Sequence, residues 1–119
     1  MIFRQAILVT LLVITTCGAL FAYGGSLTVE NRTGYTILWV YVVPAGQGGQ
    51  SGQGGWGPDR LGAEVLLDGE SFRIPINNFP SNLADIRILD VDEDTYTFLR
   101  YNLDRRVLTL ELAMLDKRR

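Results

Sequence analysis

At 119 residues and a formal net charge of −2, the chain has room for a single domain and carries no nucleic-acid footprint. It contains no histidine, and its one cysteine is Cys17. Ordinary zinc, copper and haem sites therefore lose their usual ligands, Ser–His–Asp and Cys–His catalysis is excluded, and no disulfide forms within the chain.

Residues 1–22 read as an export leader. Arg4 supplies the positive start and Ala6–Ile14 the apolar middle, and Cys17, Gly18, Ala19 and Ala22 are the small residues that a signal peptidase needs. Cleavage after Ala19 meets that need best, and cleavage after Ala22 is the other candidate. Two rivals stand beside cleavage. The stretch Gln5–Tyr23 approaches the ~20 apolar residues that span a bilayer, which leaves the domain membrane-anchored, and Cys17 offers a lipidation site. The reading places residues 23–119 outside the cytoplasm, periplasmic or secreted. Membrane contact then runs only through an uncleaved or lipidated leader.

Beyond the leader, apolar residues recur with period two between turn signals. Ser26–Glu30 puts Leu27 and Val29 on one face, and Asn31–Gly34 reads as a turn. Tyr35–Val43 is apolar on both faces, with Ile37, Trp39, Tyr41 and Val43 on one and Leu38, Val40 and Val42 on the other. Such a strand is central and buried, or has one face covered by a neighbour. Pro44–Gly57 is rich in glycine and glutamine and predicts a mobile loop. It lacks the Gly-Lys-Ser/Thr exit into a helix that a phosphate-binding loop needs.

Ala63–Leu67 and Ser71–Ile76 flank Asp68-Gly69-Glu70 and predict a tight hairpin or short arch, with Phe72, Ile74 and Ile76 inward. Pro75 has no N–H, which places its strand at an edge or a bulge. Asn77–Asn82 reads as loop. Ala84–Val91 and Thr95–Leu103 predict a second hairpin about Asp92-Glu93-Asp94, and Val107–Leu112 forms the last strand. About seven short strands at this spacing predict an all-β domain. Its expected form is an antiparallel β-sandwich, immunoglobulin-like in general architecture, with a small β-barrel as the alternative.

The runs Asn31-Arg32-Thr33-Gly34-Tyr35-Thr36-Ile37, Val40-Tyr41-Val42 with Pro44, and Trp56-Gly57-Pro58-Asp59-Arg60-Leu61-Gly62 resemble a family of small exported bacterial proteins with the outline N-x-T-G-x-T-I … W-G-x-D-x-L-G. Leu67-Asp68-Gly69-Glu70-Ser71 and Asp90–Tyr96 continue the likeness over nearly all of residues 23–119. The resemblance implies an exported all-β domain and assigns no functional residues. The chain departs from it in a longer glycine/glutamine loop, and in Asp92-Glu93-Asp94-Thr95, where relatives often carry a glycine.

Two groups stand out as candidate sites. Trp56 and Asp59, at the exit of the glycine loop, are candidate binding residues. They also have a structural reading, with Trp56 folded over the sandwich edge, Pro58 fixing a strand entry and Asp59 accepting backbone N–H groups in an Asx-type turn. Asp90, Asp92 and Asp94 place hard oxygen donors at alternate positions and are a candidate calcium site, joined by Asp59 or Asp68 if the loops converge. The glycine and the distal glutamate of an EF-hand loop are absent. Hydrolysis by acids alone needs two carboxylates facing each other across a pocket, for example around Asp85 and Asp90, and acids at turns do not meet that need.

These residues predict a non-enzymatic module that binds an unknown protein or envelope component, or associates structurally in the cell envelope. The alternative is a calcium- or carbohydrate-dependent ligand-binding domain using the acidic and aromatic loops. Calcium is the only cofactor in view.

Overall fold

The computed structural model describes residues 22–48 and 55–117. The expected leader and residues 49–54 of the glycine loop lie outside the described residues. Six strands follow in order: β1 (Tyr23–Arg32), β2 (Ile37–Pro44), β3 (Ser71–Phe79), β4 (Leu83–Asp90), β5 (Thr95–Asn102) and β6 (Val107–Glu111). They form two three-stranded sheets, β3-β1-β6 and β2-β4-β5. Among the described residues, no helix is long and apolar enough to cross a membrane.

The sheets share one core. Leu27, Val29, Ile74, Ile76, Leu108 and Leu110 from the first sheet and Ile37, Val40, Val42, Ile86, Ile88 and Tyr96 from the second belong to a single buried cluster. The period-two pattern produces this directly, because alternate side chains of each strand leave the same face. Each fully buried aliphatic side chain contributes roughly 1.5–3 kcal/mol. The expected β-sandwich is therefore the observed fold, except that one pair, β1 with β6, is parallel rather than antiparallel.

β1 pairs antiparallel with β3, setting Leu27 beside Ile74 and Val29 beside Phe72. On its other side it pairs parallel with β6, setting Val29 beside Leu108. β4 is central in the second sheet, antiparallel to both β2 and β5. Only β4 and β5 are joined as a hairpin; every other connection between consecutive strands passes from one sheet to the other.

Three expectations need correction. The strand count among the described residues is six, because Ala63–Leu67 forms no strand. It makes one isolated bridge, Ile37 to Leu66, and Leu66 alone is buried while Val65 and Leu67 are exposed. Consequently no hairpin forms about Asp68–Glu70. The chain leaves β2 at Leu66 and joins β1 when Glu70 accepts the Asn31 N–H at 2.9 Å, so this segment crosses between the sheets.

The second correction concerns Tyr35–Val43. β2 is an edge strand rather than a central one, so the reading that holds is the one with a covered face. A bulge between Ile37 and Trp39 shifts the register. It turns Ile37 onto the same inner face as Val40 and Val42, and leaves Trp39, Tyr41 and Val43 on the outer face. One extra residue reverses the alternation, which strict period-two counting cannot anticipate. Third, Asn77–Phe79 is strand rather than loop. Pro75 does lie in an edge strand, β3, as its missing N–H requires.

Candidate functional site

The Trp56–Gly62 segment lies along the open edge of β2. Asp59 accepts the Val40 N–H at 2.9 Å and the Leu61 N–H at 3.1 Å through the same Oδ1. The Arg60 N–H donates to Val40 O at 2.7 Å. The Arg60 guanidinium then reaches Val42 O at 3.2 Å and, across the gap, Pro75 O of β3 at 3.0 Å. Asp59 and Arg60 thus occupy the hydrogen-bonding positions of a seventh strand, and Arg60 ties the edges of the two sheets together. Open edges invite pairing with another chain, and this one is covered. The expected Asx-type turn is present at Asp59, which is committed to folding. The strand that Pro58 was expected to introduce does not follow.

Asn31, expected in a turn, is the penultimate residue of β1, with its side chain fully buried. Its amide donates to Tyr35 O at 2.7 Å and Leu66 O at 3.0 Å. Its carbonyl accepts the Thr33 N–H at 3.1 Å and the Thr33 hydroxyl at 2.7 Å. These four bonds hold three chain segments at one end of the sandwich. A buried amide with every position used stabilises, whereas one left unpaired is costly.

Asp85 had a place in the sequence reading only as half of an acid pair. It is buried on the outer face of β4, beneath the stem of the glycine loop. One oxygen accepts the N–H groups of Gly46 at 2.9 Å and Gly48 at 3.1 Å, and the other accepts that of Arg100 at 2.9 Å. Arg100 stands at φ 55, where β5 bulges opposite Asp85, since Ala84 pairs with Tyr101 and Ile86 with Phe98. Trp56 closes over this arrangement. Its ring meets the space above Gly48, and the Arg87 guanidinium carbon lies 4.9 Å from its centroid, within cation–π range.

Around Trp56 the outer face carries Trp39 and Tyr41 of β2, opposite Leu89 and Arg87 of β4. All five side chains are half-buried. At the far edge Thr97 stands opposite Arg87 and its hydroxyl accepts from Arg87 Nε at 3.3 Å. Asp116 shields that edge as Asp59 shields the other. It accepts the Thr97 N–H at 2.8 Å and the hydroxyls of Thr95 at 2.7 Å and Thr97 at 2.6 Å. Burial works to raise the Asp116 pKa, but the bonds from Thr97 and Thr95 prevail and hold it below its ordinary value.

Asp90, Asp92 and Asp94 do come together. Carboxylate oxygens of the three lie within 4.8 Å of one another. Asp90, at the inner mouth of the sandwich, accepts the N–H groups of Asp92 at 2.9 Å and Asp94 at 3.0 Å through Oδ1. These bonds curl the β4–β5 hairpin, and Glu93 takes a left-handed conformation at φ 63. Asp59 and Asp68 do not join the cluster: Asp59 caps β2, and Asp68 accepts the Gly34 N–H at 2.8 Å. Oxygen donors alone fit a hard cation.

Asp85 and Asp90 do not form an acid pair. They lie on opposite faces of β4 and five residues apart, about 16 Å at ~3.3 Å per residue, well beyond the ~9.5 Å of a glycosidase pair. Asn31, Arg87, Tyr96 and Asp116 were not singled out as sites by the sequence, and Asp85 only as half of an acid pair. The one signal for Asp85 and Arg87 was their alternation with Ile86 and Ile88, which puts them on the outer face but does not show that the loop stem buries Asp85.

No family model matches the chain, and no curated protein matches it. The fold is similar to that of an NMR structure of a protein from Eubacterium rectale, with 10% sequence identity over 74% of this chain and 75% of that one, at a TM-score of 0.47.

Proposed function

We propose that this protein is a non-enzymatic binding module of the cell envelope, exported by its leader, and that it contacts a glycan polymer with the outer face of the β2-β4-β5 sheet. The observation that carries the reading is the grouping of Trp39, Tyr41 and Trp56 with Arg87 on that face. Half-buried aromatic rings on a sheet face pack against the C–H faces of sugar rings, and a guanidinium beside them bonds hydroxyl or carboxylate oxygens. The absence of histidine from the whole chain and the engagement of Asp85 by three backbone N–H groups support a binding rather than a catalytic role.

The test is cosedimentation with insoluble peptidoglycan, together with retardation in native gels cast with neutral or anionic polysaccharides. Retention by at least one polymer is expected. The double variant Trp39→Ala/Trp56→Ala, checked for fold by circular dichroism, should weaken retention at least roughly tenfold, since each stacked ring contributes about 1 kcal/mol. A wild-type protein that no polymer retains overturns the glycan reading. Equal retention of the double variant overturns the assignment to this face.

A further inference from the structure

The acidic hairpin is accompanied by an independent anomaly. Tyr96, fully buried on the inner face of β5, has a hydroxyl with no hydrogen-bond partner. Its polar neighbours are Asp90 and Thr33, with Asp94 close enough to act on it electrostatically. Thr33 does not relieve it: its hydroxyl turns its hydrogen toward Asn31 and Tyr35 O, its oxygen accepts the Tyr35 N–H at 3.1 Å, and no bond joins it to the Tyr96 hydroxyl. A buried donor with nothing to donate to is rare in folded proteins and marks a position where an atom is owed.

The hairpin supplies the place for that atom. Asp90 Oδ1 is committed to the N–H groups of Asp92 and Asp94, while Oδ2 takes no hydrogen bond among the described residues. The two N–H bonds curl the chain so that the Asp92 and Asp94 carboxylates come alongside Asp90. Neither of those side chains serves as a hydrogen-bond acceptor among the described residues. Carboxylate oxygens within 4.8 Å of one another can close on one hard cation, and calcium, with flexible geometry and oxygen distances of about 2.3–2.6 Å, suits so loose a set better than magnesium, which demands near-ideal octahedral geometry at about 2.1 Å.

We propose that Asp90, Asp92 and Asp94 bind a calcium ion at the end of the sandwich, with the Tyr96 hydroxyl donating to an oxygen held by that ion. This site lies at the inner mouth between the sheets, apart from the aromatic outer face, and does not depend on the glycan reading. Three protein carboxylates leave the remaining positions to water, which gives the modest affinity of extracellular modules, Kd about 10⁻⁴–10⁻³ M.

The experiment uses the full chain with Tb³⁺ as a luminescent calcium substitute and CaCl₂ as competitor, at constant ionic strength, alongside thermal unfolding. Tyrosine-excited terbium emission should appear, be displaced by calcium in preference to magnesium, and be lost in Asp92→Asn/Asp94→Asn, whose side chains support no backbone bond. Calcium at ~10 mM should raise Tm by about 5–10 °C for a Kd near 1 mM, and not in the double variant. Tyr96→Phe should weaken calcium about tenfold, as loss of a supporting partner does. Absent emission, emission undiminished in Asp92→Asn/Asp94→Asn, or a calcium effect matched by sodium chloride overturns the site. Unchanged calcium affinity in Tyr96→Phe overturns the role of the hydroxyl.

Discussion

Trp56 lies over Gly48 so closely that a β-carbon on Gly48 would stand 2.5 Å from the indole ring, and 2.9 Å from Cβ of Asp85 beneath. Gly48 is therefore the floor on which the tryptophan rests, and Asp85 holds that floor by its N–H. The stem of the glycine loop is in this way fastened to the outer face of β4 on both sides of residues 49–54. Gly48→Ala should push the ring away from Arg87 and lower stability by about 1–3 kcal/mol, the usual cost of overpacking. The check is urea unfolding with tryptophan emission read in a Trp39→Phe background. A red shift at unchanged overall fold is expected, and an unmoved spectrum shows that the ring does not rest there.

Asp85→Ala removes the acceptor for Gly46, Gly48 and Arg100 at once and leaves three N–H groups without their partner. Hydrogen bonds to a charged group contribute about 1.5–3 kcal/mol each, and the losses here are coupled. The expected destabilisation is about 3–4 kcal/mol by urea denaturation. Asp85→Asn should recover little of it, because one of its two terminal groups becomes a donor facing donors. A loss under 1 kcal/mol for Asp85→Ala is the result that contradicts this account.

The sandwich itself was legible because it follows from alternation: Leu27 and Val29, Ile74 and Ile76, and Leu108 and Leu110 all face inward as their spacing requires. Strand pairing was less so. Leu66 looks like the middle of a strand, yet it makes one bridge to Ile37, since the chain must cross to the other sheet within a few residues. The β2 bulge moved Ile37 to the inner face, away from Trp39 and Tyr41, and no local feature of an all-apolar run announces where an extra residue is taken up. The structural reading of Trp56-Gly57-Pro58-Asp59 was legible in one respect, the Asx-type turn at Asp59, although Trp56 and Gly57 were expected in a mobile loop. That its Asp59 and the following Arg60 stand in for a missing edge strand depends on β2 lying at the edge. Tyr96 could be placed on the hairpin but not beside Asp90, because that meeting is set by the inner mouth of the sandwich.

Glu93 occupies a left-handed conformation, φ 63, in the tight turn that joins β4 and β5. That region costs an L-residue roughly 1–2 kcal/mol, and glycine escapes the cost while giving back part of it as unfolded-state entropy. Glu93→Gly should therefore stabilise the protein by about 0.5–1 kcal/mol, with Glu93→Ala giving no comparable gain. Denaturation midpoints of the two variants in calcium-free buffer decide the matter. A destabilised Glu93→Gly would show that the Glu93 side chain contributes more than its backbone strain costs.

Asp116 gives the protein a specific acid sensitivity. Its pKa is held below the ordinary value of 3.8, with burial opposed and outweighed by the bonds from Thr97 and Thr95. A carboxylate depressed by folding adds stability that is complete above its unfolded pKa and disappears as pH falls through the lower folded value. Unfolding midpoints of wild type and Asp116→Asn should thus stand apart at pH 7, hold that separation down to about pH 5, and converge below the ordinary carboxylate range. Because Asp116 is exposed, the separation should also be modest and should shrink in high salt. Parallel curves that never converge would mean that Asp116 supports the β5 edge through shape alone, without its charge.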